Sequence, residues 1–402
     1  MVHCSSEIKC SFGKRLSGKR IALCICGSVG AVRSVEIARL LMRHGAEVYP
    51  VMSRSALSLV GKDLLWWATG NEPVTELTGK CEHVSLCGAC EGKVDLLLVA
   101  PATANTVAKA AYGMDDTPVT TMLATAIGTG IPVIFAPAMH ATMYNSLFEE
   151  NMRKLEKVAK AEFILPVFEE GKAKEPAADE IVDYCIRALS EKNLKGRRIL
   201  VSAGATREKI DDVRFISNPS SGKMGLAFAR EAWLRGAGVV LVKAHTECKI
   251  PRYLSIIDAE TIEEMRAVVL KETRKSDIVI MAAAIGDFEV KSPARGKIKS
   301  EKKAILALSL APVRKIAEDI KKANPKCRLI LFKAESKVSE AELKRRAQER
   351  MKSARADLVI ANDVSEGAFG GDGCGVLVVS PKGAGRFAGS KSALAERVLK
   401  TF

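Results

Sequence analysis

Continuous apolar runs alternate with amphipathic stretches along the first half of the chain. The stretch VEIARLLMRHG has apolar positions at helical spacing and ends at Gly45, so it predicts a helix that stops at a glycine. Apolar runs separated by helices favour a parallel sheet with helices on both faces. The predicted strands of this half are RIALCIC, AEVYPVM, VDLLLVA and PVIFAPA.

The same alternation restarts after a charged segment, SEKNLKGRR, at residues 190–198. A helix is predicted at GLAFAREAWLRG, and further strands at RILVSAG, VVLVKA, DIVIMAAA, RLILFKA and DLVIAND. The pattern predicts an α/β protein with two Rossmann-like domains, each built on a parallel sheet. The expected divisions are a polar arm at 1–18, a first domain at 19–190, a linker at 191–195 and a second domain at 196–402.

The overall charge changes this picture little. The 402 residues include 62 basic and 47 acidic side chains, a net charge of +15, but the basic residues are scattered along amphipathic helices and aromatics make up only 5%. This distribution disfavours nucleic acid and suits small phosphorylated substrates. The apolar runs are too short to span a bilayer, so no membrane segment is expected. Eleven cysteines in a long chain indicate a reducing compartment, the cytoplasm.

Candidate chemistry lies where the predicted strands end, because open parallel sheets bind ligands at the carboxyl ends of their strands. In CGSVG, Gly27 permits a tight turn and Ser28 offers a donor to a phosphate. In PATANT, which follows VDLLLVA, Ala102 and Ala104 permit close approach, while Thr103 and Asn105 supply polar contacts. Either motif alone also fits an ordinary strand-to-helix turn.

Five such motifs occur in one order: GSVGAVRSVE, Ser53 of VMSRSA, PATANT, TPVTTMLA and PAMHATMY. In this order they resemble the flavin-dependent cysteine decarboxylases. The resemblance implies a flavodoxin-like domain that binds FMN. The FMN contacts it implies are Gly27, Ser28, Val29, Ser53, Ala102, Thr103, Ala104, Asn105, Thr120 and Thr121.

The second half is similar to phosphopantothenate–cysteine ligases through SAGATREKIDDVRFISNPSSGKMG, AAAIGDF, GKIKSEKK, FKAE and ANDVS. Together the two halves resemble the family of bifunctional coenzyme A biosynthesis proteins over residues 19–402. The resemblance implies that CTP and Mg²⁺ drive ligation of cysteine to 4′-phosphopantothenate through an acyl-cytidylate. FMN-dependent oxidative decarboxylation and re-reduction then give 4′-phosphopantetheine. It also implies a homo-oligomer, with a trimeric flavoprotein part and a dimeric ligase part.

The stretch CEHVSLCGAC raises two alternatives for His83. His83-Val-Ser-Leu86 fits the decarboxylase pattern H-[IV]-x-L, which implies a neutral imidazole that accepts the substrate thiol proton. The same stretch offers four donors of the types that bind zinc, Cys81, His83, Cys87 and Cys90. Because one residue between Cys81 and His83 is a tight spacing for two ligands of one ion, zinc is disfavoured. A zinc-containing basic protein associated with nucleic acid is the corresponding alternative function.

Two departures from the decarboxylase pattern leave questions open. His140 stands where the P-x-M-N-x-x-M motif has asparagine; it can still donate to a substrate carboxylate, or it is a surface histidine. The family's flap carries a cysteine that protonates the enethiolate, and the corresponding segment EEGKAKEP (169–176) has none. Lys172, Lys174 or a cysteine of CEHVSLCGAC are the replacements considered. A ligase with a degenerate flavoprotein domain is the alternative reading.

In the second half, the resemblance places Lys297 on the triphosphate, where it and Mg²⁺ offset developing charge. Taken alone, GKIKSEKK is an ordinary solvated basic loop. Asn218 corresponds to the asparagine that engages the activated acyl group. Ser220, Ser221 and Gly222 open a helix that favours the substrate phosphate. SSGKMG lacks the first glycine and the Ser/Thr of a P-loop, so an ATPase is rejected.

The resemblance also identifies nucleotide contacts in the second half. Arg346, Arg350 and Lys352 are further candidates for the triphosphate, and the choice among them stays open. The CTP-binding residues it implies are Met281, Ala282, Ala283, Asp287, Lys297 and Phe332.

Overall fold

The structure of the chain is a computed structural model that describes residues 3–159, 161–299, 306–366, 371 and 373–402. The chain divides into two compact units, Met1–Ser190 and Glu191–Phe402. Within the described ranges, none of the helices combines the length and the apolar character that a membrane span requires. Each unit is built on its own sheet, and each is described separately below.

The first unit contains eight strands and eight α-helices in the described ranges. Its strands are β1 Arg20–Ile25, β2 Glu47–Met52, β3 Leu96–Ala102, β4 Val133–Pro137, β5 Met139–His140, β6 Glu162–Phe163, β7 Val167–Glu169 and β8 Lys172–Lys174. Its helices are α1 Ser34–Arg43, α2 Arg54–Leu57, α3 Lys62–Thr69, α4 Glu82–Cys87, α5 Ala104–Ala111, α6 Pro118–Gly128, α7 Ser146–Ala159 and α8 Ala178–Leu189. All four predicted strands of this half are present.

The main sheet of the first unit has the strand order β2-β1-β3-β4-β6 and is parallel throughout. Its central strand, β3, is buried at every position, as expected for a strand covered by helices on both faces. A second small antiparallel sheet has the order β5-β8-β7. This small sheet joins residue 140 to the segment around 172–174, which lies outside the main sheet.

Residues 3–18 form an arm that packs onto the first unit. A 3₁₀ turn, Cys4–Ile8, is capped by the side chain of His3. The amides of Cys10 and Leu16 donate to the carbonyls of Met42 and His44 at the end of α1. The arm is therefore attached by backbone hydrogen bonds to the first helix.

The second unit has twelve strands and five α-helices in its described part. Its strands are β9 Arg198–Ala203, β10 Arg207–Lys209, β11 Phe215–Ser217, β12 Gly238–Lys243, β13 Ser255–Asp258, β14 Ile278–Met281, β15 Phe288–Val290, β16 Leu310–Pro312, β17 Arg328–Glu335, β18 Leu358–Asp363, β19 Gly373–Ser380 and β20 Gly383–Ser390. Its helices are α9 Lys223–Leu234, α10 Ile262–Thr273, α11 Ala317–Ala323, α12 Glu340–Ala354 and α13 Lys391–Leu399.

The main sheet of the second unit has the order β13-β12-β9-β14-β17-β18-β19-β20. The first six strands are parallel, whereas β19 and β20 form an antiparallel hairpin at one edge. The two-domain α/β prediction is confirmed, and the hairpin is a feature that the apolar pattern does not predict. Two short antiparallel ribbons, β10-β11 and β15-β16, lie outside this sheet.

Aspartates at the starts of strands fix the alignment of both sheets. The Asp95 carboxylate accepts the amide of Arg20 at the start of β1 at 2.8 Å. In the second unit, Asp277 accepts the amide of Arg198 at 2.8 Å, and Asp357 accepts that of Leu329 at 2.7 Å. Each carboxylate satisfies a strand-end donor that has no partner in the parallel ladder at that position.

Removing one of these carboxylates should destabilise its unit. We expect Asp95→Ala to lower the free energy of unfolding by about 1 to 3 kcal/mol, because the Arg20 amide and the Lys19 ammonium both lose an acceptor. Thermal and urea unfolding measure the loss. Asp115→Ala, at an exposed aspartate of the same unit, is the control and should stay within about 0.5 kcal/mol of the wild type. Equal losses in the two variants would contradict a stabilising role of the Asp95 hydrogen bonds.

Candidate active sites

The turn after β1 has the shape expected of a ligand-binding loop. A Cβ on Gly27 would lie 2.3 Å from the Cβ of Ser55, so only glycine fits this close approach. Ser28 begins a 3₁₀ turn, Val29–Arg33, and its side chain makes no capping hydrogen bond within the described part of the chain. Val29 is 75% exposed. The Ser28 hydroxyl and the first amides of the turn are therefore available to a ligand.

In the loops after β2 and β3, unlike the loop after β1, the hydroxyls cap the following helix. Ser53 accepts the Ala56 amide and caps α2, and Thr103 accepts the Thr106 amide and caps α5. Asn105, in the first turn of α5, is exposed. Of these predicted FMN contacts, Asn105 offers its side chain to a ligand, whereas Ser53 and Thr103 shape the loop backbone.

Thr120 and Thr121, two further predicted FMN contacts, are buried at the start of α6. The Thr120 side chain and Thr117 form a capping box. The Thr121 hydroxyl donates to the carbonyl of Asp115 at 2.7 Å. Both hydroxyls therefore serve the helix start, and a contact between them and FMN stays a prediction.

His83 lies in α4, whose start is fixed by two hydrogen bonds from Thr78 to the Glu82 carboxylate. The hydroxyl of Thr78 lowers the pKa of Glu82 to about 2, so this anchor is charged at neutral pH. The His83 Nδ1 atom is buried and has no hydrogen-bond partner among the described residues. Such a nitrogen retains the lone pair that a proton acceptor requires.

The three neighbouring cysteines do not converge on His83. Cys87 is buried with its Sγ 3.8 Å from the Met122 sulfur, and Cys90 Sγ lies 3.2 Å from the Val84 carbonyl oxygen. Burial raises the pKa of Cys87 to about 12. Within the residues that the structure places, no group of three or more His, Cys, Asp or Glu side chains is arranged to hold a metal ion.

His140 and the segment 169–176 are brought together by the small sheet. His140 pairs with Lys172 across β5 and β8, and the Ala141 amide donates to the Gly171 carbonyl at 3.0 Å. His140 is exposed. The two stretches that depart from the decarboxylase pattern therefore lie next to each other in the fold.

Glu175, just after β8, is a residue that the sequence analysis does not single out. It is 6% exposed, and neither carboxyl oxygen has a hydrogen-bond partner in the described ranges. Burial, the largest effect, raises the pKa of Glu175 to about 8, although the nearby Arg33 acts in the opposite direction. A Cβ on Gly30 would lie 3.5 Å from Glu175 Oε2. The carboxyl therefore lies against the turn that follows β1.

These features fit a bound flavin. The turn after β1 has two glycines, Gly27 and Gly30, where a Cβ would meet neighbouring atoms at 2.3 Å and 3.3 Å. The Ser28 hydroxyl and the Asn105 carboxamide provide polar groups, and Glu175 provides a buried carboxyl without a partner inside the described structure. Small residues, polar groups and an orphaned buried acid at strand ends are typical of a cofactor pocket.

The second unit contains a cavity of about 740 Å³ at the carboxyl ends of its parallel strands. Most of the predicted ligase residues line it. These are Asn218, Ser220, Ser221, Gly222, Met281, Ala282, Ala283, Asp287, Phe332 and Arg350. Residues that are distant in sequence therefore share one cavity large enough for a nucleotide and a second substrate.

Close packing sets the shape of the wall at the start of α9. Gly222 has φ of +81°, and a Cβ there would lie 2.4 Å from Thr246 Oγ1. Thr246 in turn donates to the Ser221 carbonyl at 2.7 Å. A Cβ on Gly225 would lie 2.6 Å from the Cβ of Ala203 in β9. The helix N-terminus is thus held against the sheet and faces the cavity, where its dipole favours an anion.

The cavity lining is strongly basic. Lys315 is paired with Asp287, the predicted nucleotide contact, and Arg350 is paired with Glu318 at 3.4 Å. Six basic residues line the cavity against the acidic residues Asp287 and Glu335: Lys223, Arg314, Lys315, Lys333, Arg350 and Lys391. An excess of four positive charges, six minus two, suits a polyanion such as a nucleoside triphosphate.

Three predicted ligase residues lie elsewhere. Lys297 is exposed and does not line the cavity, and residues 300–303 of its segment GKIKSEKK lie outside the described residues. Arg346 binds Glu342 at 2.7 Å and Glu335 at 2.6 Å in a neighbouring pocket. Lys352 is exposed at the end of α12. Of the three basic candidates on this helix, the structure brings only Arg350 to the cavity.

Several lining residues were not predicted. Lys223 belongs to SSGKMG, Lys333 follows Phe332 in FKAE, and Asn362 belongs to ANDVS, so matched motifs already contained them. Lys315 and Lys391 carry no comparable signal, because Lys315 stands just before α11 and Lys391 at the start of α13, in stretches rich in ordinary surface charges. Only the fold places these two beside the strand ends.

Family models match both units. Residues 11–190 match the model described as Flavoprotein, and residues 194–402 match the C-terminal domain of the DNA/pantothenate metabolism flavoprotein. Together they cover nearly the whole chain.

Curated relatives extend over its full length. The coenzyme A biosynthesis bifunctional protein CoaBC of Thermococcus kodakarensis is 47% identical over 383 residues, which cover 94% of this chain and 93% of the relative. The protein of the same name from Methanocaldococcus jannaschii is 36% identical and covers 100% of this chain and 97% of the relative. Both halves of the chain therefore occur together in its relatives.

Solved structures match single units. The C-terminal domain of a CoaBC protein is 29% identical, covers 52% of this chain and 96% of its own, and has a TM-score of 0.43. The DNA/pantothenate metabolism flavoprotein from Streptococcus pneumoniae is 24% identical, covers 51% and 98%, and has a TM-score of 0.47. On the sequence matches over its full length, the chain belongs to the family of bifunctional coenzyme A biosynthesis proteins, CoaBC.

Proposed function

We propose that the chain catalyses two consecutive steps of coenzyme A biosynthesis, with residues 196–402 as the ligase and 19–190 as the decarboxylase. The ligase joins cysteine to 4′-phosphopantothenate at the expense of CTP. The decarboxylase converts the product to 4′-phosphopantetheine with FMN. The observation that carries the proposal is the basic cavity of the second unit, where residues from most of the matched ligase motifs converge.

The ligase step requires cations, because it brings a triphosphate and a phosphorylated carboxylate together. The N-terminus of α9, with Ser220, Ser221 and Gly222, suits the substrate phosphate. Asn218, whose Nδ2 lies 3.5 Å from the Ala284 carbonyl oxygen, lines the same cavity and suits the activated acyl group. Asp287 and the basic lining suit CTP and its Mg²⁺, which would offset charge on the phosphates.

The decarboxylase step requires a proton acceptor for the substrate thiol. The unpartnered Nδ1 of His83 suits this task. A bound flavin supplies the hydride acceptor for the carbon next to sulfur. His140 suits the substrate carboxylate, because an imidazole N–H can donate to it. Once the thiol is oxidised to a thioaldehyde, the adjacent carboxylate can leave as carbon dioxide.

Three broader features belong to the same proposal. The flavoprotein part would form a trimer and the ligase part a dimer, as the resemblance implies. The substrates would be small molecules rather than nucleic acid, which the scattered basic residues support. All eleven cysteines are free thiols, which supports a reducing compartment such as the cytoplasm.

The full-length protein with FMN tests the proposal when it is supplied with phosphopantothenate, cysteine, CTP and Mg²⁺. We expect phosphopantetheine and carbon dioxide, identified by mass spectrometry and gas trapping, and neither product without CTP. Phosphopantothenoylcysteine as the sole product would support a ligase with a degenerate flavoprotein domain. Absence of both products would contradict the proposal.

We predict that His83→Asn stops the second step and spares the first. Phosphopantothenoylcysteine should accumulate at the wild-type rate, while carbon dioxide release falls by about 10²-fold or more, because the thiol loses its proton acceptor. Ser85→Ala, an exposed position on the same helix, is the matched control and should retain both steps. Continued carbon dioxide release in His83→Asn would remove the residue from this role.

Comparing substitutions of Lys297 and Lys315 tests which lysine acts on the triphosphate. Lys297 lies outside the cavity lining, but the resemblance places it on the triphosphate; we therefore predict that Lys297→Gln lowers the ligation rate by about 10² to 10³-fold through loss of a charge that stabilises the transition state. Lys315→Gln, at the cavity wall, should chiefly raise KM for CTP. Lys299→Gln, two residues beyond Lys297, is the matched control and should be nearly unchanged. Loss of ligation in Lys315→Gln with normal turnover in Lys297→Gln would transfer the role to Lys315.

A further inference from the structure

Decarboxylation to phosphopantetheine consumes one proton at carbon, so the first unit needs an acid as well as the base His83. Two of the groups considered from the sequence, Lys174 and Cys87, fit this role poorly. Lys174 is half-buried and donates to Glu170 at 2.8 Å, a hydrogen bond that raises the pKa of Lys174. Burial raises the pKa of Cys87 to about 12. Both groups therefore hold their protons more tightly than usual.

Glu175, in the same segment as Lys174, has a buried carboxyl without the hydrogen bonds that hold the Lys174 proton. Arg33 Nη1 donates to the backbone carbonyls of Glu175 and Pro176, at 3.3 Å and 2.7 Å. These bonds hold the segment against the 3₁₀ turn that follows β1. They leave both carboxyl oxygens buried and without a hydrogen-bond partner among residues that the structure describes. A carboxyl in this state is costly to bury unless a ligand or a reaction uses it.

The Glu175 carboxyl lies close to the loops predicted to bind flavin. The site of a Cβ on Gly30 lies 3.5 Å from Glu175 Oε2, 3.3 Å from the Cβ of Pro101 and 3.5 Å from the Cβ of Ala138. Pro101 and Ala138 lie at the ends of β3 and β4, and Gly30 lies in the 3₁₀ turn that follows β1. The carboxyl therefore shares one small region with three strand ends of the sheet.

The surroundings favour the protonated form of this carboxyl. Burial raises the pKa of Glu175 to about 8, Arg33 lowers it and Glu36 raises it further. Further titratable side chains on the neighbouring β5, β7, β8, α1 and α8 are His140, Glu169, Lys172, Lys174, Arg39, Arg43, Asp179, Glu180, Asp183, Tyr184, Cys185 and Arg187. An acid whose pKa is close to the working pH is suited to proton transfer.

We propose that Glu175 is the acid that protonates the enethiolate formed when carbon dioxide leaves. This inference rests on the proposed decarboxylase function and deepens it. The O–H bond of Glu175 breaks, and a C–H bond forms at the carbon that carried the carboxylate. The carbon–carbon double bond becomes a carbon–sulfur double bond, which gives a thioaldehyde.

The remaining steps balance. The hydride that a bound flavin would return would reduce the thioaldehyde carbon and leave the sulfur as a thiolate. The thiolate takes back the proton that His83 accepted from the substrate thiol. The Glu175 carboxylate regains a proton from water before the next turnover. The net reaction consumes one proton for each carbon dioxide released, and flavin ends oxidised as it began.

Glu175→Gln tests the step directly in the full-length protein with FMN, supplied with phosphopantothenoylcysteine under anaerobic conditions. We expect one burst of carbon dioxide, loss of the oxidised-flavin absorbance, and release of the oxidised aminoenethiol instead of phosphopantetheine. Turnover should fall by about 10²-fold or more. Glu169→Gln, an exposed glutamate of the same segment, is the matched control and should turn over normally. Glu175→Asp, which keeps the acid, should recover part of the phosphopantetheine yield.

The outcomes separate the two proposals. Phosphopantetheine formation by Glu175→Gln at the wild-type rate would overturn the role of Glu175. So would oxidised flavin without any carbon dioxide in Glu175→Gln and Glu175→Asp, because the residue would then act before decarboxylation or only in the fold. Failure of the wild type and of Glu169→Gln to release carbon dioxide would instead overturn the decarboxylase function itself.

A second measurement needs no turnover. The ordinary pKa of the carboxyl is 4.5 and its folded value is about 8, so between these values the folded chain binds a proton that the unfolded chain does not. Folding stability from this group therefore falls as pH rises through that window. Glu175→Gln has no carboxyl to titrate, so its stability should not fall through this window. We expect the Tm of Glu175→Gln minus that of the wild type to increase from about pH 5 to pH 8, measured on the full-length protein without added FMN. Parallel pH profiles would contradict a proton on Glu175.

Discussion

A hydrogen bond between an aspartate and the first amide of the neighbouring strand sets the alignment on which both sites depend. Asp95 holds the start of β1 beside β3, and Asp277 holds the start of β9 beside β14. Because the rise per residue in a strand is nearly constant, aligning the starts of two parallel strands also aligns the residues that follow them. The Cys26 amide accordingly reaches the Pro101 carbonyl at 3.3 Å, and Ala205 pairs with Ala284. The loops that follow are thereby placed side by side.

Each unit aligns its strands in this way, but the two sites differ in electrostatic character. The cavity of the second unit gathers basic side chains, several of which are paired in the structure, as Lys315 is with Asp287 and Lys333 with Glu335. Such pairs keep the charges ordered and let an incoming phosphate replace a carboxylate at modest cost. The first unit instead buries Glu175, which resists ionisation. One site is suited to hold anions, and the other to hold a proton.

The strand ends were the part of the site most predictable from sequence, because an apolar run followed by small and polar residues indicates a buried strand and the loop that follows it. PATANT is placed in this way. Charged residues within charged segments were not predictable, since Glu175 in EEGKAKEP and Lys315 look like solvated side chains until tertiary packing buries or aims them. The β19-β20 hairpin was missed for a similar reason. Its many glycines have low strand propensity, and its pairing with β18 comes from the fold.

Burial also explains why a carboxyl suits a closed site better than a thiol. Desolvation disfavours the anion of both groups and raises both pKa values. The thiol starts from 9.0, so burial takes Cys87 to about 12, where its proton is scarcely available. The carboxyl starts from 4.5, so burial takes Glu175 only to about 8. Burial therefore raises the pKa of a thiol too far for proton transfer at neutral pH, but raises that of a carboxyl to a value at which it can both give and regain a proton.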